Sequence, residues 1–246
     1  LLHKWEGYIY ILPALIFMFV FIFYPIIYNL ILSFQDVTVT TLLAPHKDFV
    51  GLENYIDILK QEEFWNALFL NCVFTVVCIF FQFVGGFALA MVFKKETSFF
   101  RVTKALMLIP YIIPVTVNAI LWKFFFATNG GFINEILVGM GWLEEGIEWL
   151  QHPWTAMFSV IVANIWCGIP FFMILLSTGL ANIPMDFYES ARIDGATAIQ
   201  QFIYITVPSV KASIQASLIL GIVYTFRAFE LIYVMTGGGP VNGTEL

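Results

Sequence analysis

Charge is scarce in this chain. Only 11% of its 246 residues are Asp, Glu, Lys or Arg, against about a quarter in an ordinary soluble domain. No basic stripe runs along it, which excludes a nucleic-acid binder held by phosphate contacts. The three histidines, His3, His46 and His152, are scattered far from any metal-ligand spacing, and no HExxH occurs. The three cysteines, Cys72, Cys78 and Cys167, form no CxxC pair and sit in apolar runs, where they read as small buried hydrophobes. A G-x-x-x-x-G-K-[ST] loop is missing too: "TGGGP" has neither the lysine nor a following helix. With no nucleotide loop and no catalytic constellation, the chain is not expected to be an enzyme.

What is present is hydrocarbon, 60% apolar and 18% aromatic residues, 27 of them Phe. Roughly 20 apolar residues of helix cross a bilayer core, and five stretches qualify, at about 8–32, 64–93, 105–128, 153–180 and 212–235. Lipid offers no partner to an unpaired backbone group, so each must be helical. Pro13, Pro25, Pro110, Pro114 and Pro170 fall in or beside these stretches and predict kinks shielded by neighbouring helices. The first stretch is too long for the apolar part of a signal peptide, and "SFQDVTV" after it is no cleavage site. The expectation is an all-α integral membrane protein, a kinked helix bundle forming one domain over residues 1–246.

The few basic residues set its orientation. Lys4, Lys94, Lys95, Arg101, Lys104, Arg192 and Lys211 fall on one side of the alternating loops. Lys47 and Lys60 fall on the other, among Asp36, Asp48, Glu53, Asp57, Glu62, Glu63 and the acidic run Glu144, Glu145 and Glu148. The first side is cytoplasmic by the positive-inside rule. The N-terminus is then inside, and residues 181–211 form a cytoplasmic loop. The glycine-rich turn "TGGGPVNGTEL" ends the sequence on the outer side, and a sixth span is expected after Leu246.

The cytoplasmic loop is unlike the rest. In "IPMDFYES", Asp186 is placed to cap a helix and Glu189 to reach back to it. That helix is expected from about Phe187 to Asp194, ended by Gly195 in a left-handed conformation. A second run, "TAIQQFIYITV", is expected to stop at Pro208. A solvated linker would have Glu189 pair with Arg192 one turn on, for a few tenths of a kcal/mol. The loop is far longer than a connection needs, and Phe187, Tyr188, Ile193, Phe202 and Ile203 call for burial against something.

Inside the spans, ionisable and amide residues mark candidates for a polar path. Arg227 and Glu230 in "YTFRAFELIY" are three apart and able to pair on one helix. They either line the path or form a self-neutralised pair that holds packing near the outer interface. Asn118 and Trp122 share one helical face, as do Asn164 and Gly168. Amide and aromatic groups together hold sugars, while a buried Asn also serves to join helices. With Tyr224, the path candidates are Asn118, Trp122, Asn164, Arg227 and Glu230. Lys123 is expected to snorkel to the outer interface.

The pattern Glu189-Ser190-Ala191, three residues, Gly195-Ala196, then Ile205 and Val207-Pro208 resembles the EAA loop of ABC-importer permeases, departing from it at Ser190 and Val207. "ILPALIFMFVFIFYPIIYNLILSF", "FVGLENYIDIL", "LMLIPYIIPVTV", "GIPFFMILLSTGLANIP" and "LIYVMTGGGP" are similar to the maltose-type, sugar-importer subgroup, in order along the whole chain. The resemblance implies a type I importer permease fold with a six-span core, five of them here. It implies a coupling helix seated in a cleft of a separate ATPase. Glu189, Ser190, Ala191 and Gly195 would shape that contact with Asp186 and Asp194 beside them, and Pro208 would fix the return into the fifth span. The implied partners are a second homologous permease, two ATP-binding subunits that hold ATP and Mg, an extracytoplasmic solute-binding protein and membrane lipid. The substrate would be an oligosaccharide, polyol or sugar phosphate, and the location the bacterial cytoplasmic (inner) membrane. Two rival readings stand beside it. An ion-coupled secondary transporter would need carboxylates near the bilayer midplane, where Glu230 is the sole acidic residue inside a span. A membrane scaffold would have no path of its own.

Overall fold

The computed structural model describes residues 6–38, 40–42, 47–94, 97–240 and 243–244. His3, Lys4, His46, Lys95 and part of the glycine-rich turn lie outside the described residues. Among those described there is no strand; a lone antiparallel bridge joins Gln35 to Phe49. The chain is all-helical, as its apolar runs require.

It divides into two compact units, Leu1–Trp65 and Asn66–Leu246. The first contains α1 (Tyr8–Leu32), no residue of whose most apolar stretch is buried. A π turn, Phe19–Phe23, lies inside α1, immediately before Tyr24 and Pro25. Proline has no N–H to donate, and the wider π turn spreads the backbone where its ring must fit. A knot of hydrogen bonds follows. Asn54 Nδ2 donates to the carbonyls of Ser33 (2.9 Å) and Gln35 (3.0 Å), and the Ser33 and Tyr55 hydroxyls bond at 2.6 Å. Asn54 and Tyr55 belong to α2 (Glu53–Lys60), which is followed by α3 (Glu62–Val92).

In the second unit the chain continues through α4 (Ser98–Leu106), α5 (Ile109–Ile112) and α6 (Val115–Phe125). Across Ile113 and Pro114 the path bends by 96°, so the third apolar stretch is a broken pair of helices rather than one continuous helix. The loop after α6 holds α7 (Phe132–Gly139), and α8 (Pro153–Ala181) is the central element, with α5, α6, α11 (Lys211–Phe226) and α12 (Phe229–Thr236) packed on it. Between α8 and α11 lie α9 (Met185–Ile193) and α10 (Ala198–Gln201).

Two apolar clusters fill this unit. One gathers Phe74, Cys78, Val160, Ala163, Leu231 and Met235; the other gathers Phe87, Phe172, Leu176, Leu180, Tyr188 and Val210. No buried member of either cluster lies between Ile79 and Phe87 on α3, or between Ala163 and Phe172 on α8. Polar residues occupy both gaps.

Candidate functional site

Gln82 on α3 and Asn164 on α8 meet in those gaps. Gln82 Nε2 donates to Asn164 Oδ1 at 2.7 Å and to its backbone carbonyl at 3.0 Å. Gln82 is 97% buried, so its amide needs these partners. Gly168, one turn below Asn164, makes the meeting possible, because a Cβ there would overlap the Gln82 amide. Beside the pair opens a cavity of about 320 Å³ whose walls include Gln82, Asn118, Asn164, Phe171, Tyr224 and Thr225. Among the described residues no carboxylate or cation lines it. The walls are apolar surface broken by amides and hydroxyls, as in many small-molecule sites.

Asn118 has a second task. Its Nδ2 donates to the carbonyls of Pro110 (2.9 Å) and Ile113 (3.3 Å). Pro114 cannot supply the N–H that Pro110 would receive in a continuous helix, so the Asn118 amide replaces it and braces the 96° bend. Its Oδ1 is buried without a partner. The sequence choice between path residue and glue therefore has a mixed outcome, a brace within one broken segment that also lines the cavity.

Trp122 lies elsewhere. Its ring stacks on Phe126 (centroids 5.6 Å apart) and meets Trp166 edge-on at 5.7 Å, against the Phe74 cluster and outside the cavity lining. One helical turn from Asn118 suffices to carry it out of the cavity. Tyr224 does line it, with its ring edge-on to Phe171 at 5.5 Å.

Arg227 and Glu230 do not share a helix, because α11 ends at Phe226 and α12 begins at Phe229. Both are exposed, and among the described residues the one ion pair is Lys60–Asp57 at 3.5 Å. Arg227 borders a small void of about 50 Å³ near Asn71, whose Nδ2 donates to the Phe226 carbonyl freed by the break (3.4 Å). Glu230 accepts from the Thr116 hydroxyl in the first turn of α6. Its place at the start of α12 also suits the helix dipole. Neither residue lines the cavity, and the ion pair that a shared helix would have allowed is not formed.

Sequence reasoning passed over Gln82 and Thr225. The signal for Gln82 was available, since it is the one amide between Asn71 and Lys94 in an otherwise apolar run.

At the other end of α8, α9 projects outward. Asp186, Glu189, Ser190, Asp194 and Gly195 are exposed and Ala191 is half-buried. Gly195 has φ +78°, and Ala196 N–H donates to the Ala191 carbonyl at 2.8 Å, closing the helix through the left-handed turn that the glycine allows. Asp186 does not cap. The N-cap is Pro184, with no side-chain bond, and Asp186 falls within the first turn. The capping box forms next door, where Thr197 and Gln200 satisfy each other's N–H groups at the start of α10. Pro208 does not stop the second run either. A π turn, Phe202–Thr206, precedes it, and Pro208 sits early in the turn Val207–Ser209 leading to α11. Of the apolar residues expected to be buried, Tyr188 is 7% exposed and Phe202 packs edge-on to Phe87 (5.5 Å). Phe187, Ile193 and Ile203 remain exposed, Ile193 by 87%. Glu189 and Arg192 form no ion pair.

Broken apolar helices around an uncharged cavity, with a short amphipathic helix displayed at one end, are the makings of a membrane permease. A family model for the inner membrane component of binding-protein-dependent transport systems matches residues 82–244, and the chain belongs to that family. It is 36% identical over 239 residues to the trehalose/maltose transport system permease protein MalF of Thermococcus litoralis, covering 97% of this chain and 79% of that one. It is 30% identical over 232 residues to the sulfoquinovosyl glycerol transport system permease protein SmoG of Agrobacterium fabrum, covering 94% and 74%. A solved bacterial ABC transporter involved in the import of the acidic polysaccharide alginate shares the fold, with TM-score 0.82 at 22% identity over 99% of this chain and 80% of that one. The chain is thus a multi-pass transport component of the membrane, not an enzyme.

Proposed function

We propose that this chain forms half of the pathway of an ATP-driven importer for an uncharged carbohydrate, an oligosaccharide or polyol. The observation that carries the reading is the cavity between α3, α6, α8 and α11, walled by amides, hydroxyls and aromatic faces and by no charged group among the described residues. Sugar edges bond to amides and hydroxyls, and sugar C–H faces rest on rings. A sugar phosphate would need a cation there, and ion coupling a carboxylate, and Glu230 is bonded to Thr116 outside the cavity. The names of the relatives support a saccharide without fixing which one.

Helix α9 is the coupling helix in this reading. Its exposed face, with Glu189, Ile193 and Gly195, seats in a separate ATP-binding subunit that holds ATP and Mg, and a second homologous permease completes the pore. An extracytoplasmic solute-binding protein delivers the sugar to the outer face. Lys94 meets Tyr188, so the basic loops after α3 and α8 share one end, which in this reading is the cytoplasmic one. Closure of the ATPase pair pushes α9 and turns the cavity from inward-facing to outward-facing.

The test is uptake by proteoliposomes carrying the transporter isolated from its native membrane. Asn164→Leu is expected to cut uptake of the neutral sugar by about 10-fold or more while the ATPase still co-purifies. Gly195→Trp is expected to abolish binding-protein-stimulated ATP hydrolysis with the subunits still assembled. Uptake untouched by both substitutions would defeat the reading.

A further inference from the structure

We propose that Tyr188 is a positioning residue that registers α9 on the π turn at the foot of α11, so that a push on α9 is delivered to that span. The inference rests on the coupling reading above.

Tyr188 is the one residue of α9 that is buried among those described. Its neighbours on the helix, Phe187 and Ile193, are exposed by 55% and 87%. Its hydroxyl bonds to the Thr206 hydroxyl at 2.9 Å, in a site where Thr206 is 99% buried. Thr206 Oγ1 also approaches the Gln201 carbonyl at 3.4 Å, so it donates there and accepts the Tyr188 proton.

Thr206 is the last residue of the π turn, and its backbone continues the link. The Thr206 carbonyl accepts from Val210 N–H (3.1 Å), and the Val210 carbonyl accepts from Ile214 N–H (2.9 Å) inside α11. From the other side, Lys94 Nζ stands 4.1 Å from the centroid of the Tyr188 ring, bringing the end of α3 to the same side chain. One phenol therefore meets the loop just after α3 through its ring and the base of α11 through its oxygen. The route round Gly195 is local by comparison, made of the α9 cap and a Gln201 Nε2 bond to the Ala196 carbonyl (3.0 Å).

A buried hydroxyl pair is directional, and its loss leaves a polar group without a partner. A phenyl ring in place of the phenol would keep the packing and the contact with Lys94 while freeing the π turn from α9. Force would then be taken up by rotation of α9 about its covalent ends.

The experiment uses the assembled transporter in proteoliposomes and reads solute uptake per ATP hydrolysed, together with the ATPase that co-purifies. Tyr188→Phe and Thr206→Val are each expected to lower that ratio by about 5-fold or more with the ATPase retained at the wild-type level. The double variant is expected to be no worse than either single one, and Thr206→Ser, which keeps the hydroxyl, to behave as wild type. A wild-type ratio in Tyr188→Phe, additive losses in the double variant, or equal failure of Thr206→Ser and Thr206→Val would each overturn the proposal. Ile193→Glu, on the exposed face, separates this from the underlying reading. If Ile193→Glu leaves the ATPase bound and uptake intact, the coupling reading falls. If Ile193→Glu releases the ATPase while Tyr188→Phe transports normally, the role of Tyr188 alone is refuted.

Discussion

The loop between α6 and α8 and the segment between α8 and α11 both carry the chain between packed helices, yet they are held in opposite ways. In the first, Asn134 is 97% buried and makes five hydrogen bonds. The two Nδ2 hydrogens are shared among the carbonyls of Ala127, Thr128 and Ile147, one of them bifurcated, and Oδ1 accepts from Ile147 N–H and Trp149 Nε1. In the second, α9 forms its own regular backbone bonds, and Tyr188, its one buried residue among those described, bonds to Thr206. Irregular backbone must have its polar groups met by something, and one buried amide does so for the loop. A regular helix needs no such help, so most of its side chains are left exposed.

Asn134→Leu should have the largest effect on stability, about 3 kcal/mol, because it strands several buried donors and acceptors. Thermal unfolding in detergent would measure it, and a change under about 1 kcal/mol would mean the loop is held otherwise. Gly168→Ala, midway between the two regions, should cost roughly 1–3 kcal/mol by overpacking against Gln82 and should reduce uptake as well. At the inner end the costs shrink. Thr197→Ala removes the capping box of α10 and should cost about 1 kcal/mol, and Lys94→Met should cost about 0.5–1 kcal/mol through the lost contact with the Tyr188 ring. Smallest of all, Ile193→Glu should leave stability within about 0.5 kcal/mol. A large destabilisation there would show that the face of α9 is buried in the folded chain and would erase the contrast.

Much of the helical architecture was legible because the apolar runs are long and almost uncharged, as between Glu63 and Lys94. The left-handed end at Gly195 was legible too, since one residue type settles it. The helix breaks were less so. Pro110 and Pro114 announced a kink, but the 96° bend depends on the Asn118 brace, a contact across turns that no local pattern encodes. Nothing in "YTFRAFELIY" marks the end of α11 at Phe226, and for that reason the pairing of Arg227 with Glu230, one of the two readings open in the sequence, is not formed. Asp186 misled because Pro184 took the N-cap position and moved the helix start forward. Of the path candidates named from residue type, Asn118, Asn164 and Tyr224 line the cavity and Trp122 lies in an aromatic cluster instead, while Gln82 was overlooked amid its apolar neighbours.

Both π turns end two residues before a proline, Phe23 before Pro25 and Thr206 before Pro208. Each amounts to one extra residue carried within a helix without breaking it. Successive residues of an α-helix are about 100° apart around its axis. Deleting a single residue from Phe202–Thr206 would therefore restore ordinary helical winding and swing everything upstream, α9 included, through about that angle. The compass bearing of α9 is set by that one surplus residue.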